Sequence, residues 1–222
     1  MTGTAHHVEM LPHLKVELAL HGLRGGNGRP LLVLHGLGER IGARTPPQLE
    51  GWPGPIHGLD FTGHGLSTMP HGGGYTCEAL MSDADTALEV LGQVTIFGRG
   101  LGGYVGLLLA GSRPREVRGL VIADGPGLAG GGSGFTSPAI LHVPPATSRP
   151  PDPWALAELA RDIRPADYAL DFARQASQLS GLANPITVAA IGRPDWLRAI
   201  VDDPFVAVGS VTEALEEYAA VA

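Results

Sequence analysis

Val94-Thr95-Ile96-Phe97-Gly98-Arg99-Gly100-Leu101-Gly102-Gly103-Tyr104 packs a strand, a glycine-rich turn and the start of a helix into one stretch. Val94 to Phe97 has the apolar, β-branched and aromatic character of a buried strand. It runs into Gly98-Arg99-Gly100, where the chain turns. From Leu101 to Ala110 the sequence is apolar nearly all round, so a helix there must be covered on every side.

The flanking sequence repeats the alternation. Leu31–Leu34 is a second short apolar run, ending abruptly at His35-Gly36, and Ile56–Leu59 is a third. Leu14 to Leu20 alternates as a half-exposed strand does, after roughly ten residues that read as mobile. The breakers of 21–30 form a turn, and 37–55 is loop-like. Glu78 to Leu91 predicts an amphipathic helix with Leu80, Ala84, Ala87, Leu88 and Leu91 on one face. Downstream, Val117–Ala123, Ile186–Ile191 and Phe205–Val208 read as strands, and Thr212–Ala220 as the last helix. Residues 125–153 are dominated by Gly and Pro, and two helices, 154–163 and 167–180, are separated at Pro165. Strands alternating with helices predict an α/β fold with a mostly parallel sheet.

Composition narrows the functional classes. The 222 residues suffice for one good-sized core with a small appended cap. A net charge of −7 leaves no basic excess for phosphates and argues against a nucleic-acid partner. Lys15 is the only lysine, and Cys77, the only cysteine, excludes an internal disulfide and a thiolate metal site. No metal or cofactor is expected. His6, His7 and His13 fall in the mobile start rather than in a metal-ligand pattern. No apolar run reaches the roughly 20 residues that span a bilayer, and the start lacks an apolar leader. The expected setting is the cytoplasm, with no membrane partner.

Four segments in order resemble the α/β-hydrolase superfamily: His35-Gly36 after an apolar strand; Asp60-Phe61-Thr62-Gly63-His64-Gly65-Leu66-Ser67, similar to D-x-x-G-H-G-x-S; Gly98-Arg99-Gly100-Leu101-Gly102-Gly103 at the place of the nucleophile elbow; and Gly192-Arg193-Pro194-Asp195, similar to the G-x-x-D that carries the triad acid. The resemblance implies an α/β-hydrolase fold, with a core of 1–125 and 185–222 and a reduced cap at 126–184. It also implies an oxyanion hole built from the Leu37 and Leu101 N–H groups. Ser67 is read as the structural end of its motif.

The chemistry departs from that pattern. Gly100 stands where G-x-S-x-G carries its nucleophile, so no acyl-enzyme forms there. Ser210 occupies the place of the catalytic histidine, and no histidine follows His142. Of the triad-equivalent positions Gly100, Asp195 and Ser210, only Asp195 keeps its chemistry. The sequence therefore predicts a degenerate member of the superfamily, binding a small molecule or a protein partner, with its status as an enzyme open. A bare glycine turn at a helix N-terminus favours an anionic ligand such as a carboxylate or phosphate. The expected ligand-binding residues are His35, Gly36, Leu37, Arg99, Gly100, Leu101 and, from the first cap helix, Trp154. A homo-oligomer is allowed by the sequence.

Two alternatives stand beside this reading. One is an enzyme with a non-serine mechanism, a lyase or a water-mediated hydrolase, using Asp195, His35 or His64 as base. The other is dinucleotide binding, because Gly98-x-Gly100-x-x-Gly103 fits that fingerprint and Asp124 sits where a ribose-binding acid belongs. Such fingerprints normally open their domain, whereas this one follows some 95 residues. His57, His71, Cys77, Trp52 and Trp196 read as packing or loop residues.

Overall fold

In the computed structural model, which describes residues 6–134, 145 and 147–221, the strand–turn–helix unit lies in the middle of an eight-stranded sheet. The strands are β1 (His7–His13), β2 (Val16–Arg24), β3 (Leu31–Leu34), β4 (Ile56–Leu59), β5 (Val94–Arg99), β6 (Val117–Ala123), β7 (Ile186–Val188) and β8 (Val206–Val208). Their order is β1-β2-β4-β3-β5-β6-β7-β8, antiparallel at β1–β2 and β2–β4 and parallel elsewhere. Leu31–Leu34 of β3 pairs with Thr95–Gly98 of β5, so His35 and Gly100 leave the sheet at the same carboxyl edge.

The helices are α1 (Cys77–Leu91), α2 (Leu101–Ser112), α3 (Pro153–Leu159), α4 (Ala166–Leu179), α5 (Asp195–Val201) and α6 (Val211–Ala219). Alternate strand residues feed two cores. Leu32, Leu34, Ile96 and Ile122 face α1, α2, α4 and α5, while Leu31, Val33, Phe97 and Val121 face Leu49, Trp52 and α6. Every residue of α2 from Leu101 to Gly111 is buried, because α1, α4 and the strands enclose it. α4 presents Ala169, Ala173 and Ala176 to α2 and α5, a stripe of small residues that lets these helices approach closely.

The structure departs from the sequence reading in places with clear physical causes. The start is ordered from His7 onward, since β1 pairs with β2 along its whole length, from His7 opposite Gly22 to His13 opposite Val16. β2 continues through the run of breakers to Arg24, whose guanidinium is held by the carbonyls of Glu50, Trp52 and Gly54. β7 ends at Val188 rather than Ile191, although the Ala189 and Ala190 N–H groups still donate to Ile122 O. α3 stops at Leu159, and α5 is a helix that the pattern did not announce. Part of the implied cap, 135–144 and 146, lies outside the described residues. Among the described residues, no helix is long and apolar enough to cross a membrane.

Candidate functional site

The turn from β5 into α2, which the sequence pattern aligns with a nucleophile elbow, carries no side chain at its centre. Gly100 adopts φ 57° and ψ −117°, a conformation that side chains resist and glycine permits. A Cβ at this position would lie 2.5 Å from the Gly125 carbonyl carbon and nearer still to Pro126 O. The space that a serine side chain would enter is therefore filled by the main chain leaving β6.

The same segment takes up the oxyanion donors. Leu37 N–H donates to Pro126 O at 3.0 Å, and Leu101 N–H donates to the same oxygen at 2.9 Å. One main-chain carbonyl thus lies between the two groups that the superfamily pattern assigns to the hole, and its partial negative charge meets the N-terminus of α2. Gly36 N–H donates to Glu39 Oε2 at 3.0 Å, and Arg99 Nε donates to both oxygens of Glu39 at 3.1 and 3.0 Å. The donors at Gly36, Leu37, Arg99 and Leu101 all have partners inside the chain.

The two histidines beside the elbow are held neutral. His35 is buried, donates from Nδ1 to Gly36 O at 2.7 Å and accepts from Phe61 N–H at Nε2 at 3.1 Å, so both ring nitrogens are engaged. Burial lowers its pKa. His64, fully buried 5.0 Å from the His35 ring, donates from Nδ1 to Thr62 O. Its Nε2 has no partner among the described residues. Burial, and secondarily the neighbouring His35, bring its pKa down to about 4.

The D-x-x-G-H-G-x-S turn is a clamp. Burial pushes the Asp60 carboxyl up, but bonds from His21 Nε2 (2.9 Å), Ile41 N–H (2.7 Å) and Leu66 N–H (2.8 Å) outweigh it and hold the group below its ordinary value. Ser67 Oγ accepts from Ala19 N–H at 2.9 Å and donates to Asp60 O.

The remaining triad-equivalent side chains have local partners. Asp195 opens α5 and accepts from Ser133 Oγ (3.1 Å) and Arg198 Nη1 (3.3 Å). Ser210 caps α6 in a reciprocal box with Glu213. No hydrogen bond joins Gly100, Asp195 or Ser210 to one another among the described residues. Asp124 accepts from Ile191 N–H (2.6 Å) and Gly192 N–H (2.9 Å), tying the end of β6 to the loop after β7. Trp154, the second residue of α3, has its N–H on Asp152 Oδ1, and its ring lies toward Gly73. Cys77 is buried, and burial pushes its thiol well up, so it is a packed thiol rather than a thiolate. No group of three or more potential metal ligands forms among the described residues.

Sequence reading missed Pro126 and Glu39. The signal for Pro126 is Asp124-Gly125-Pro126-Gly127 directly after a buried strand. That a glycine at 100 faces a glycine at 125 emerges only when β5 and β6 are laid side by side.

No protein-family model matches the chain, and no curated protein matches it. Solved structures do. The chain is similar to the thioesterase domain of the curacin biosynthetic pathway, with TM-score 0.63, 12% identity, and 98% of this chain and 99% of that one covered. It is similar to an N-formylmaleamic acid deformylase from Pseudomonas putida S16, with TM-score 0.60, 14% identity, and 92% and 91% covered. It spans 40% of an epoxide hydrolase from Vigna radiata, at 22% identity over 54% of this chain and TM-score 0.46. The chain has the α/β-hydrolase fold.

Proposed function

We propose that this α/β-hydrolase-fold chain is a non-catalytic binding protein, whose elbow has become part of its own packing. The observation that carries this reading is the Pro126 carbonyl, which accepts from both Leu37 and Leu101 N–H while Gly125-Pro126 fills the side-chain space above Gly100. An oxyanion hole accelerates acyl transfer only if its donors are free to meet the developing charge. Here they are satisfied in the resting state, and among the described residues no side-chain hydroxyl projects at Gly100 and both His35 ring nitrogens are engaged. Anionic-ligand binding at the elbow would first have to displace Pro126 O.

The non-serine enzyme has less support. His35 has no free nitrogen, His64 is neutral and fully buried, and Asp195 is exposed and paired with Arg198. The dinucleotide reading is weaker still. Gly98 and Gly103 are explained by close packing, since a Cβ on Gly98 would meet Gly102 O at 2.5 Å and one on Gly103 would meet Ile122 Cγ2 at 2.8 Å. Asp124, the ribose-acid candidate, is occupied by two backbone N–H groups.

The test is covalent labelling with a fluorophosphonate alongside hydrolysis of short-chain p-nitrophenyl esters. The expected outcome is no labelled serine and hydrolysis at the buffer rate. A labelled serine, or turnover that scales with protein and is abolished by substituting His35, His64 or Asp195, overturns the proposal.

A further inference from the structure

A second concavity lies away from the elbow, between the β1–β2 turn, the loop from Thr62 to Tyr75 and the first half of α1. It has a volume of about 620 Å³, within the roughly 300–1,000 Å³ of small-molecule sites. Val16, Pro70, Tyr75, Ala79 and Leu80 are the apolar part of its wall, together with the exposed Leu14. Leu14 is 95% exposed and is the only non-glycine residue with positive φ among the described residues, at 52°. The turn thus holds an apolar side chain in a costly conformation without burying it.

One part of the wall is polar, and its bonding is incomplete. Thr86 Oγ1 donates to Ser82 O at 3.1 Å, so it accepts from His13 Nδ1–H at 2.7 Å. That fixes His13 Nε2 as an acceptor in the neutral ring. Its neighbours are Ser82 Oγ at 3.4 Å and Asp83 Oδ1 at 3.7 Å, both long for a hydrogen bond. Asp83 is buried and already accepts from Thr62 N–H (2.8 Å) and Thr62 Oγ1 (3.0 Å). The Ser82 hydroxyl and His13 Nε2 are the groups with capacity to spare.

Charge decides the ligand class. Lys15 is exposed with its ammonium in water, and Asp83 is buried where its charged form is disfavoured, so the wall offers an ion no desolvated countercharge. Burying an ion against carbon carries a large desolvation cost. We infer that this cavity binds a small, uncharged, mainly apolar molecule with one hydrogen-bonding end, seated on Ser82 and His13 with its carbon chain along Leu80 and Val16 and against Leu14. The site deepens the non-catalytic reading, on which it rests, and names where binding occurs.

The test titrates the full chain with octan-1-ol, octanoate and octylamine by calorimetry, with ester turnover measured on the same preparations. Octan-1-ol is expected to saturate one site, with octanoate and octylamine about tenfold weaker or more. Ala79 is exposed on α1, so Ala79→Trp fills the cavity from outside the core and is expected to abolish octan-1-ol binding at unchanged Tm. If that variant loses stability, Ala79→Glu, which places a charge on the wall, gives the same reading. Ser82→Ala is expected to weaken octan-1-ol several-fold. Absence of saturable binding, binding indifferent to the Ala79 and Ser82 changes, or tighter binding of either ion overturns the site. Ester turnover without octan-1-ol binding refutes both readings. Turnover alongside octan-1-ol binding that meets the Ala79 and Ser82 expectations refutes the non-catalytic reading alone, and absence of binding without turnover refutes the cavity alone.

Discussion

At Gly100 the constraint is steric before it is chemical. Any Cβ there meets both an unfavourable backbone conformation and the Gly125-Pro126 main chain. Gly100→Ser is therefore expected to destabilise the fold by roughly 2–5 kcal/mol, the sum of positive-φ strain and overpacking. A thermal melt would show a clear drop in Tm, with no ester turnover gained. An unchanged Tm would mean that Pro126 yields easily. Asp83 gives a second residue-scale prediction. Burial raises its pKa from 3.8 to about 7, so the folded chain keeps a proton that the unfolded chain releases, and stability from this group falls as pH rises from about 4 to 7. His64 has the opposite sign. Its pKa of about 4 means that stability falls as pH drops from 6.5 toward 4. Asp83→Asn keeps a partner for Thr62, and its advantage in unfolding free energy over wild type is expected to grow between pH 4 and 7 and then level, reaching at most about 4 kcal/mol. A pH-independent difference would contradict the assignment. At this scale the sequence disclosed a glycine at 100 and a serine at 210. It did not disclose the Pro126 carbonyl that accepts from Leu37 and Leu101 N–H, because a carbonyl belongs to every residue and carries no sequence signal.

Among the elements, α6 shows what Ser210 does in the fold. Ser210 accepts from Glu213 N–H, and Glu213 accepts in return from Ser210 N–H, so the residue that the sequence pattern aligns with the histidine is a helix cap. Ser210→Ala is expected to cost about 1 kcal/mol of stability, read by denaturant unfolding, with no effect on octan-1-ol binding. A neutral substitution would remove the capping explanation. The strongly periodic or continuously apolar elements were legible: β3, β5, β6, α1 and α2 fall within one or two residues of their patterns. β1 was not, because His-Val-Glu-Met-Leu-Pro-His mixes polar residues and a proline, and its order comes from pairing with β2. α5 is only seven residues long, too short for its three buried side chains to declare a period.

Over the whole molecule, the order of motifs carried the fold while each alone was weak. His35, Asp60 and Gly100 follow β3, β4 and β5, and Asp195 opens α5, all around a mostly parallel sheet. What the order could not convey is which loop fills the mouth of the elbow, since that depends on β6 lying beside β5 and delivering Gly125-Pro126 onto the start of α2. On the proposed reading, placing serine at 100 and histidine at 210 is consequently not enough for turnover. The double variant Gly100→Ser/Ser210→His is expected to remain inactive on esters, because the oxyanion donors stay bound to Pro126 O. Recovery of turnover in that variant would show that the plug opens on its own.

The most direct measurement of the central claim is wild-type hydrolysis of short-chain p-nitrophenyl esters against a buffer blank, repeated across pH. A self-occupied elbow predicts rates equal to the blank at every pH. A rate proportional to protein concentration and lost in His35→Ala, His64→Ala or Asp195→Ala would contradict it.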